Sequence, residues 1–378
     1  MQLPLAFAPM KLAPFLALCL AATAFADAPK IETLALGSPA PDFTLPGVDG
    51  RDWSLKDFAD AKALVVVFTC AHCPTAQAYE ERLKKIVDDY KPRGVAVVAI
   101  SPNDPQSVRL DELGYTDLGD SFADMKTRAK DQHFNFPFLY DGDTEAVSRA
   151  YGPVATPHAF LFDTQRKLRY VGRIDDAERE ANLKRQDLRL ALDAVLAGKA
   201  PEVAETKVFG CSVKWAGKQD QVKQFMDKLA AEPVSVDIAD AAALSTLRKG
   251  EGTKVRLVNF WATWCGPCVA EFPQLVEIDR MYRKRNFEFV SVAANYPNEK
   301  SEVLKFLTKM QASSRNLLFA SDDKFAMFAA FDKDLNGQLP VTMLLAPDGR
   351  VLYQRAGVID ALELKREILK AIGREMVK

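Results

Sequence analysis

Six cysteines stand in this chain, and four of them form two Cys-x-x-Cys pairs nearly 200 residues apart. These are Cys70-Ala71-His72-Cys73 and Cys265-Gly266-Pro267-Cys268; Cys19 and Cys211 stand alone. Two thiols at that spacing either exchange electrons as a dithiol–disulfide couple or supply half of a metal site. Zinc needs two further ligands, and none is spaced near the second pair. Haem attachment needs a histidine after the second cysteine, where Val269 stands. The three histidines, His72, His133 and His158, lie far apart, and a three-histidine metal site would consume them all. Six cysteines are too sparse for a disulfide-stapled mini-protein. The pairs therefore read as redox centres, with Cu(I) binding by the thiolates, a metallochaperone role, as one rival. No dissociable organic cofactor is implied.

The rest of the composition bounds the setting. At 378 residues the chain suits two or three domains, and 48% hydrophobic with 27% charged residues is ordinary for a globular protein. Lys and Arg number 50 against 51 Asp and Glu, a balance that argues against nucleic acid as a partner. Residues 1–26 are apolar apart from Lys11, with Leu12–Leu20 as an h-region and Ala24-Phe25-Ala26 as a cleavage pattern. The expectation is a cleaved signal peptide over 1–26, taking Cys19 with it, and a mature chain exported to a periplasmic or other extracytoplasmic, oxidising compartment. A start at Met10 would give the more usual basic n-region, and an uncleaved anchor helix is the alternative.

The elements that must position the thiols occur twice. In the first half, strand Leu64–Phe68 leads to Cys70, helix Thr75–Tyr90 follows, then strand Val95–Ile100; Thr156-Pro157-His158 enters strands Ala159–Phe162 and Leu168–Val171. In the second half, strand Arg256–Phe260 leads to Cys265, followed by helix Val269–Arg283, strand Phe287–Ala293 and a helix near Lys300–Met310. Leu339-Pro340 then enters strands Thr342–Ala346 and Val351–Gln354. Pro157 and Pro340 are 183 residues apart, close to the spacing of the cysteine pairs. The pattern predicts one α/β domain type used in tandem: 31–200, a helical linker carrying Cys211 at 201–235, and 236–378.

In the second half Cys265 falls between a buried strand and a helix start, where backbone amides stabilise a thiolate. Cys268, one turn on, is placed to resolve a mixed disulfide. The run Val258-Asn259-Phe260-Trp261-Ala262-Thr263-Trp264-Cys265-Gly266-Pro267-Cys268 closely resembles the thioredoxin superfamily, and Val269-Ala270-Glu271-Phe272-Pro273 resembles its exported TlpA/ResA branch. The resemblance implies a thioredoxin-like fold in each half, a central mixed β-sheet flanked by helices. It also implies reduction of protein disulfides, a cis Pro340 holding a substrate strand beside the sulfurs, and a membrane-bound or thioredoxin-like electron donor. Asn259 departs from the buried Asp of thioredoxin, which leaves Glu271 as the candidate proton acceptor for Cys268; its other reading is a solvated charge near a helix start.

Gly37-Ser38-Pro39-Ala40-Pro41-Asp42-Phe43-Thr44-Leu45 resembles the opening hairpin of the AhpC/TSA and TlpA families. Two alignments of the first motif follow. By motif order, Cys70 is the nucleophile and His72 stabilises it, as in periplasmic disulfide oxidants. By distance from the strand, Phe68 precedes Cys73 by five residues as Phe260 precedes Cys265, and Cys73-Pro74-Thr75 resembles a peroxidatic turn. A peroxiredoxin's Thr is here Cys70, and Pro157 falls where its Arg would be, with Arg149 and Arg173 as substitutes. Thiol–disulfide exchange is the favoured reading, with a thiol peroxidase as alternative. His158 reads as a satisfied buried histidine or a group facing the sulfurs, and His133 as structural. Cys211 is either a spectator or a relay between Cys70/Cys73 and Cys265.

Overall fold

The computed structural model describes residues 31–250 and 252–374; the expected signal segment lies outside them. A hairpin of β1 (Thr44–Pro46) and β2 (Asp52–Ser54) opens the first module. The apolar run then forms β3 (Ala63–Phe68), buried at every residue. A strand with both faces covered needs no polar alternation. Val65 and Val67 face Tyr79, Leu83 and Ile86 of α1 (Pro74–Tyr90), while Leu64, Val66 and Phe68 pack against Phe160 and Phe162 on the opposite side. There follow β4 (Val95–Ser101), α2 (Phe122–Asp131), β5 (Phe138–Tyr140), α3 (Ala146–Tyr151), β6 (Ala155–Thr156), β7 (His158–Phe162), β8 (Leu168–Gly172) and α4 (Asp187–Leu196). The sheet order is β5-β4-β3-β7-β8, parallel through β3, β4 and β5 and antiparallel from β3 to β7 and β8.

The 201–235 stretch is only partly helical. Cys211–Ser212 is a short strand, β9, paired antiparallel with β6, and α5 (Gln219–Ala230) comes after it. Cys211 thus packs into the first module rather than into a linker, because its neighbours Phe209 and Val213 are apolar and find the core there.

The second module comprises β10 (Asp237–Ala239), α6 (Ala241–Lys249), β11 (Val255–Trp261), α7 (Gly266–Tyr282), β12 (Phe287–Ala293), α8 (Lys300–Lys309), β13 (Arg315–Phe319), α9 (Lys324–Phe331), β14 (Val341–Leu345), β15 (Val351–Ala356) and α10 (Ala361–Ile372). Its order, β10-β13-β12-β11-β14-β15, repeats the first sheet with one extra edge strand. The loop before α2 joins the modules: Thr116 O accepts from Tyr282 Oη at 2.7 Å, and Asp117 binds Arg366 and Arg374 at 2.9 and 2.7 Å. Among the described residues no helix is long and apolar enough to cross a membrane.

Candidate functional site

Each module places one cysteine at the N-cap of the helix that follows its central strand. Cys265 caps α7, its sulfur accepting from Cys268 N at 3.3 Å, and Cys73 caps α1, its sulfur accepting from Ala76 N at 3.4 Å. A helix N-terminus carries unpaired amides and a partial positive charge, which favour a thiolate over a thiol. The strand-distance register therefore describes the backbone, and the motif-order register does not: Cys73 stands where Cys265 stands. Cys70 lies three residues ahead of that point, and Ala76 occupies the position of Cys268.

Cys265 and Cys268 form a disulfide in the second module. Cys268 is fully buried and Cys265 retains 7% exposure, beside Trp264 at 59%. Lys324 Nζ lies 5.0 Å from the Trp264 ring and 3.8 Å from that of Tyr296, so an exposed aromatic rim flanks the reachable sulfur. Leu339-Pro340 is a cis peptide, and Leu339 pairs with no strand among the described residues. Glu271, on α7, is buried; Asn259 Nδ2 donates to its Oε1 at 3.2 Å and Ile359 N to its Oε2 at 2.8 Å. Burial raises its pKa, against those hydrogen bonds. A carboxyl so held is a proton acceptor nearer to thiol chemistry than a solvated glutamate. Asn259 also donates to Thr342 Oγ1 at 3.0 Å, which fixes the amide that orients Glu271.

The first module gathers three thiols around Thr156-Pro157, its own cis peptide. Cys73 Sγ donates to Thr156 O at 3.5 Å, and Cys70 Sγ meets Thr156 Oγ1 at 3.3 Å. Cys211, on β9, packs against the cluster of Cys70, Cys73 and Ala76. His72 is buried with its Nδ1 on Asp120 Oδ2. Burial works against the imidazolium, but the charge and hydrogen bond of Asp120 outweigh it and raise the His72 pKa. Burial likewise opposes a Cys73 thiolate, yet hydrogen bonds from Cys211 and Cys70 and the His72 charge bring its pKa well below the usual thiol value. Cys70 goes the other way: burial holds its proton, aided by Cys73 and Asp120.

Asp120 was not foreseeable from spacing, since it lies 48 residues from His72 in a polar loop. Cys70, His72 and Asp120 offer ligand atoms within 4.8 Å of one another. The carboxylate is already engaged by Ala71 N, His72 N, His72 Nδ1 and Asn103 Nδ2, so it serves as an anchor for the motif more readily than as a metal ligand. Arg149 pairs with Glu145 and Arg173 with Asp187, so both are engaged with carboxylates. His158 is buried, accepts from Val154 N at 3.3 Å on Nδ1, and burial lowers its pKa to about 4. His133 adopts a positive φ of 51° beyond the end of α2, a backbone role.

Known protein families match both halves of the chain. The AhpC/TSA family model matches residues 36–171 and the Redoxin model residues 207–368. Over 149 residues the chain is 31% identical to the thiol:disulfide interchange protein CycY of Rhizobium leguminosarum bv. viciae, covering 39% of this chain and 73% of that protein. A Mycobacterium tuberculosis protein provisionally named a peroxiredoxin is 30% identical over 125 residues, 32% of this chain and 69% of that one. A solved Sinorhizobium meliloti structure, described as a hypothetical protein, shares 37% identity over 49% of this chain and 97% of its own, with a TM-score of 0.43. Two successive family matches over two sheets of one strand order lead to a single assignment: the chain belongs to the thioredoxin superfamily, an AhpC/TSA-type module followed by a redoxin-type module.

Proposed function

We propose that the protein is an exported thiol–disulfide oxidoreductase whose second module exchanges two electrons with protein disulfides. The observation that carries this reading is Cys265: it caps α7, retains 7% exposure beside the exposed Trp264, and shares a cluster with Leu339, the residue before the cis proline. In the reduced protein the Cys265 thiolate attacks one sulfur of a substrate disulfide and the other sulfur leaves as a thiolate. Cys268 then gives its proton to Glu271 and attacks Cys265, releasing the reduced substrate and closing the Cys265–Cys268 disulfide. Pro340 and Leu339 present backbone to the substrate strand. Names of relatives such as CycY support exchange as the reaction class. A membrane-bound or thioredoxin-like donor returns the two electrons. The apolar stretch at 1–26 supports export.

The test is reduction of insulin by the pre-reduced full chain. Wild type reduces it, Cys265→Ser loses activity by about 10³-fold, and Cys268→Ser accumulates a mixed disulfide on Cys265. Cys265→Ser acting at the wild-type rate would remove this assignment. Hydroperoxide consumption in the same samples tests the peroxidase alternative, whose nucleophile would be Cys73 with Pro157 and His72 beside it. The complete burial of Cys73 speaks against it.

A further inference from the structure

The segment 209–216 lies across the first module's thiols, held by contacts along its whole length. Thr156, which precedes the cis proline, pairs with Cys211, and Ala155 pairs with Ser212. A β-carbon on Gly210 would stand 2.1 Å from Thr156 O, so only glycine brings the strand this close. Phe209 packs 6.2 Å from the Tyr79 ring, Lys214 N donates to Asn103 Oδ1 at 2.9 Å, and Asp104 N donates to Lys214 O at 2.9 Å. In the second module no strand pairs with the corresponding residue, Leu339, among the described residues. The chain therefore occupies its own substrate-strand position in the first module, and it places a cysteine opposite Thr156.

Accessibility orders the three sulfurs. Cys70 and Cys73 are buried, whereas Cys211 is half-buried and in reach of solvent. Ala76 stands where a resolving thiol would lie inside the helix, so the module's second sulfur must come from outside α1.

We propose that Cys211 is the external sulfur of the first module's redox centre: carried on a strand laid in the substrate position, it forms a disulfide with Cys73 and exchanges with a partner dithiol on behalf of the buried thiols. A partner thiolate attacks Cys211 Sγ; the partner–Cys211 bond forms, and the Cys73–Cys211 bond breaks with its electron pair on Cys73. The partner's second thiol loses its proton and attacks its own mixed disulfide, and Cys211 leaves and takes up that proton. The partner dithiol becomes a disulfide, and two electrons reach the centre. Cys73 is suited to leave because its helix cap and His72 stabilise the thiolate. Cys70 competes for Cys73 from the buried side, in a Cys70–Cys73 disulfide that interconverts with Cys73–Cys211 without net oxidation.

This inference concerns the first module and stands apart from the Cys265 reading. The full-length wild type is equilibrated with oxidised glutathione, quenched in acid, alkylated and mapped as non-reduced peptides. A Cys73–Cys211 cross-link is expected. Reduction of the oxidised first module by dithiothreitol, followed by the same mapping, slows by about tenfold or more in Cys211→Ser but not in Cys70→Ser. Only Cys70–Cys73 in the map, with Cys211 fully alkylated, would overturn the inference, as would a Cys211→Ser protein reduced at the wild-type rate. The wild-type map decides the matter even if a variant fails to fold. Insulin reduction by the wild type is read in parallel, so that a missing cross-link with intact insulin reduction removes this inference alone.

Discussion

The two modules share a strand order and differ at several positions around the capping cysteine. Six residues ahead of the capping cysteine the second module has Asn259 and the first has Val67; three residues after it, Cys268 and Ala76; six after, Glu271 and Tyr79. Glu271 is a buried carboxyl that accepts from Asn259 Nδ2 and Ile359 N, whereas the Tyr79 hydroxyl is held by Asp175 and Ala177 O and its ring receives Phe209. The second module has Cys268 inside the helix, and among the described residues no strand pairs with Leu339. The first has Ala76 at that position, Cys70 three residues ahead of the cap, and Cys211 on β9 paired with Thr156. The two sites thus differ through three or four side chains and one short strand, on sheets of the same order apart from the extra edge strand β10.

Alkylation of the reduced protein offers the strongest contrast. Burial opposes a Cys73 thiolate, yet hydrogen bonds from Cys211 and Cys70 and the His72 charge bring its pKa well below the usual thiol value; the sulfur is fully buried, while Cys265 retains 7% exposure. Opening a packed strand costs about 4 kcal/mol, so Cys265 is expected to react with iodoacetamide about 10³-fold faster than Cys73 in timed quench and peptide mass analysis. Equal rates would mean that the first site is not covered.

Acid separates the modules next. His158 has its pKa lowered to about 4 by burial, so its contribution is full above about 6.5 and is lost as pH falls through 4. Asp279 is the reverse: burial raises its pKa to about 6, so its contribution is full below about 3.8 and is lost as pH rises through 6. Each swing is worth roughly 3 kcal/mol. Between pH 7 and pH 4, protection factors, which are corrected for the pH dependence of intrinsic exchange, should therefore fall in β7 and rise in α7. His158→Asn, which keeps an acceptor for Val154 N, should flatten the first response, and Asp279→Asn the second. Parallel changes in both modules would show that these two groups do not set the response.

Much of this fold was legible because its signals were local. The all-apolar run at 64–68 and the apolar stripes after each motif placed strands and helices where they are found, whereas the cis peptide at Pro340 was an implication of the family resemblance and not of its flanking residues. The register of the first motif was legible only by counting from Phe68, since the Cys-x-x-Cys spelling points three residues too early. Three things were not legible. β13 begins with Arg315-Asn316, which gives no apolar alternation. Asp120 reaches His72 through a loop whose path depends on packing against the second module. β9 is two residues long, and its pairing with Thr156 is a tertiary event with no period to read.

Proton transfer gives a smaller effect confined to one module. Glu271→Gln keeps an acceptor oxygen for Ile359 N but cannot take the proton of Cys268. Release of the mixed disulfide should slow by about 10²-fold, with the first attack by Cys265 unchanged. Stopped reactions with insulin, resolved into burst and steady phases, separate the two steps. A slowed burst would assign Glu271 to positioning Cys265 instead.

The smallest expected change tests the cover itself. Gly210 lies at φ 142°, and an added β-carbon would meet Thr156 O at 2.1 Å and its carbonyl carbon at 2.9 Å. Both atoms are backbone, so the strand must retreat instead of a side chain turning aside. Strain of that kind costs about 1–3 kcal/mol, part of which is relieved by opening. In Gly210→Ala the alkylation of Cys73 should rise by about tenfold while that of Cys265 stays constant, and circular dichroism should show both modules folded. The Cys73–Cys211 cross-link should fall in yield at the same time, because the strand that presents Cys211 no longer rests opposite Thr156. If Cys73 reactivity is unmoved while the cross-link is lost, β9 presents Cys211 but does not shield the site, and the contrast between an open and a covered module narrows to the placement of one sulfur.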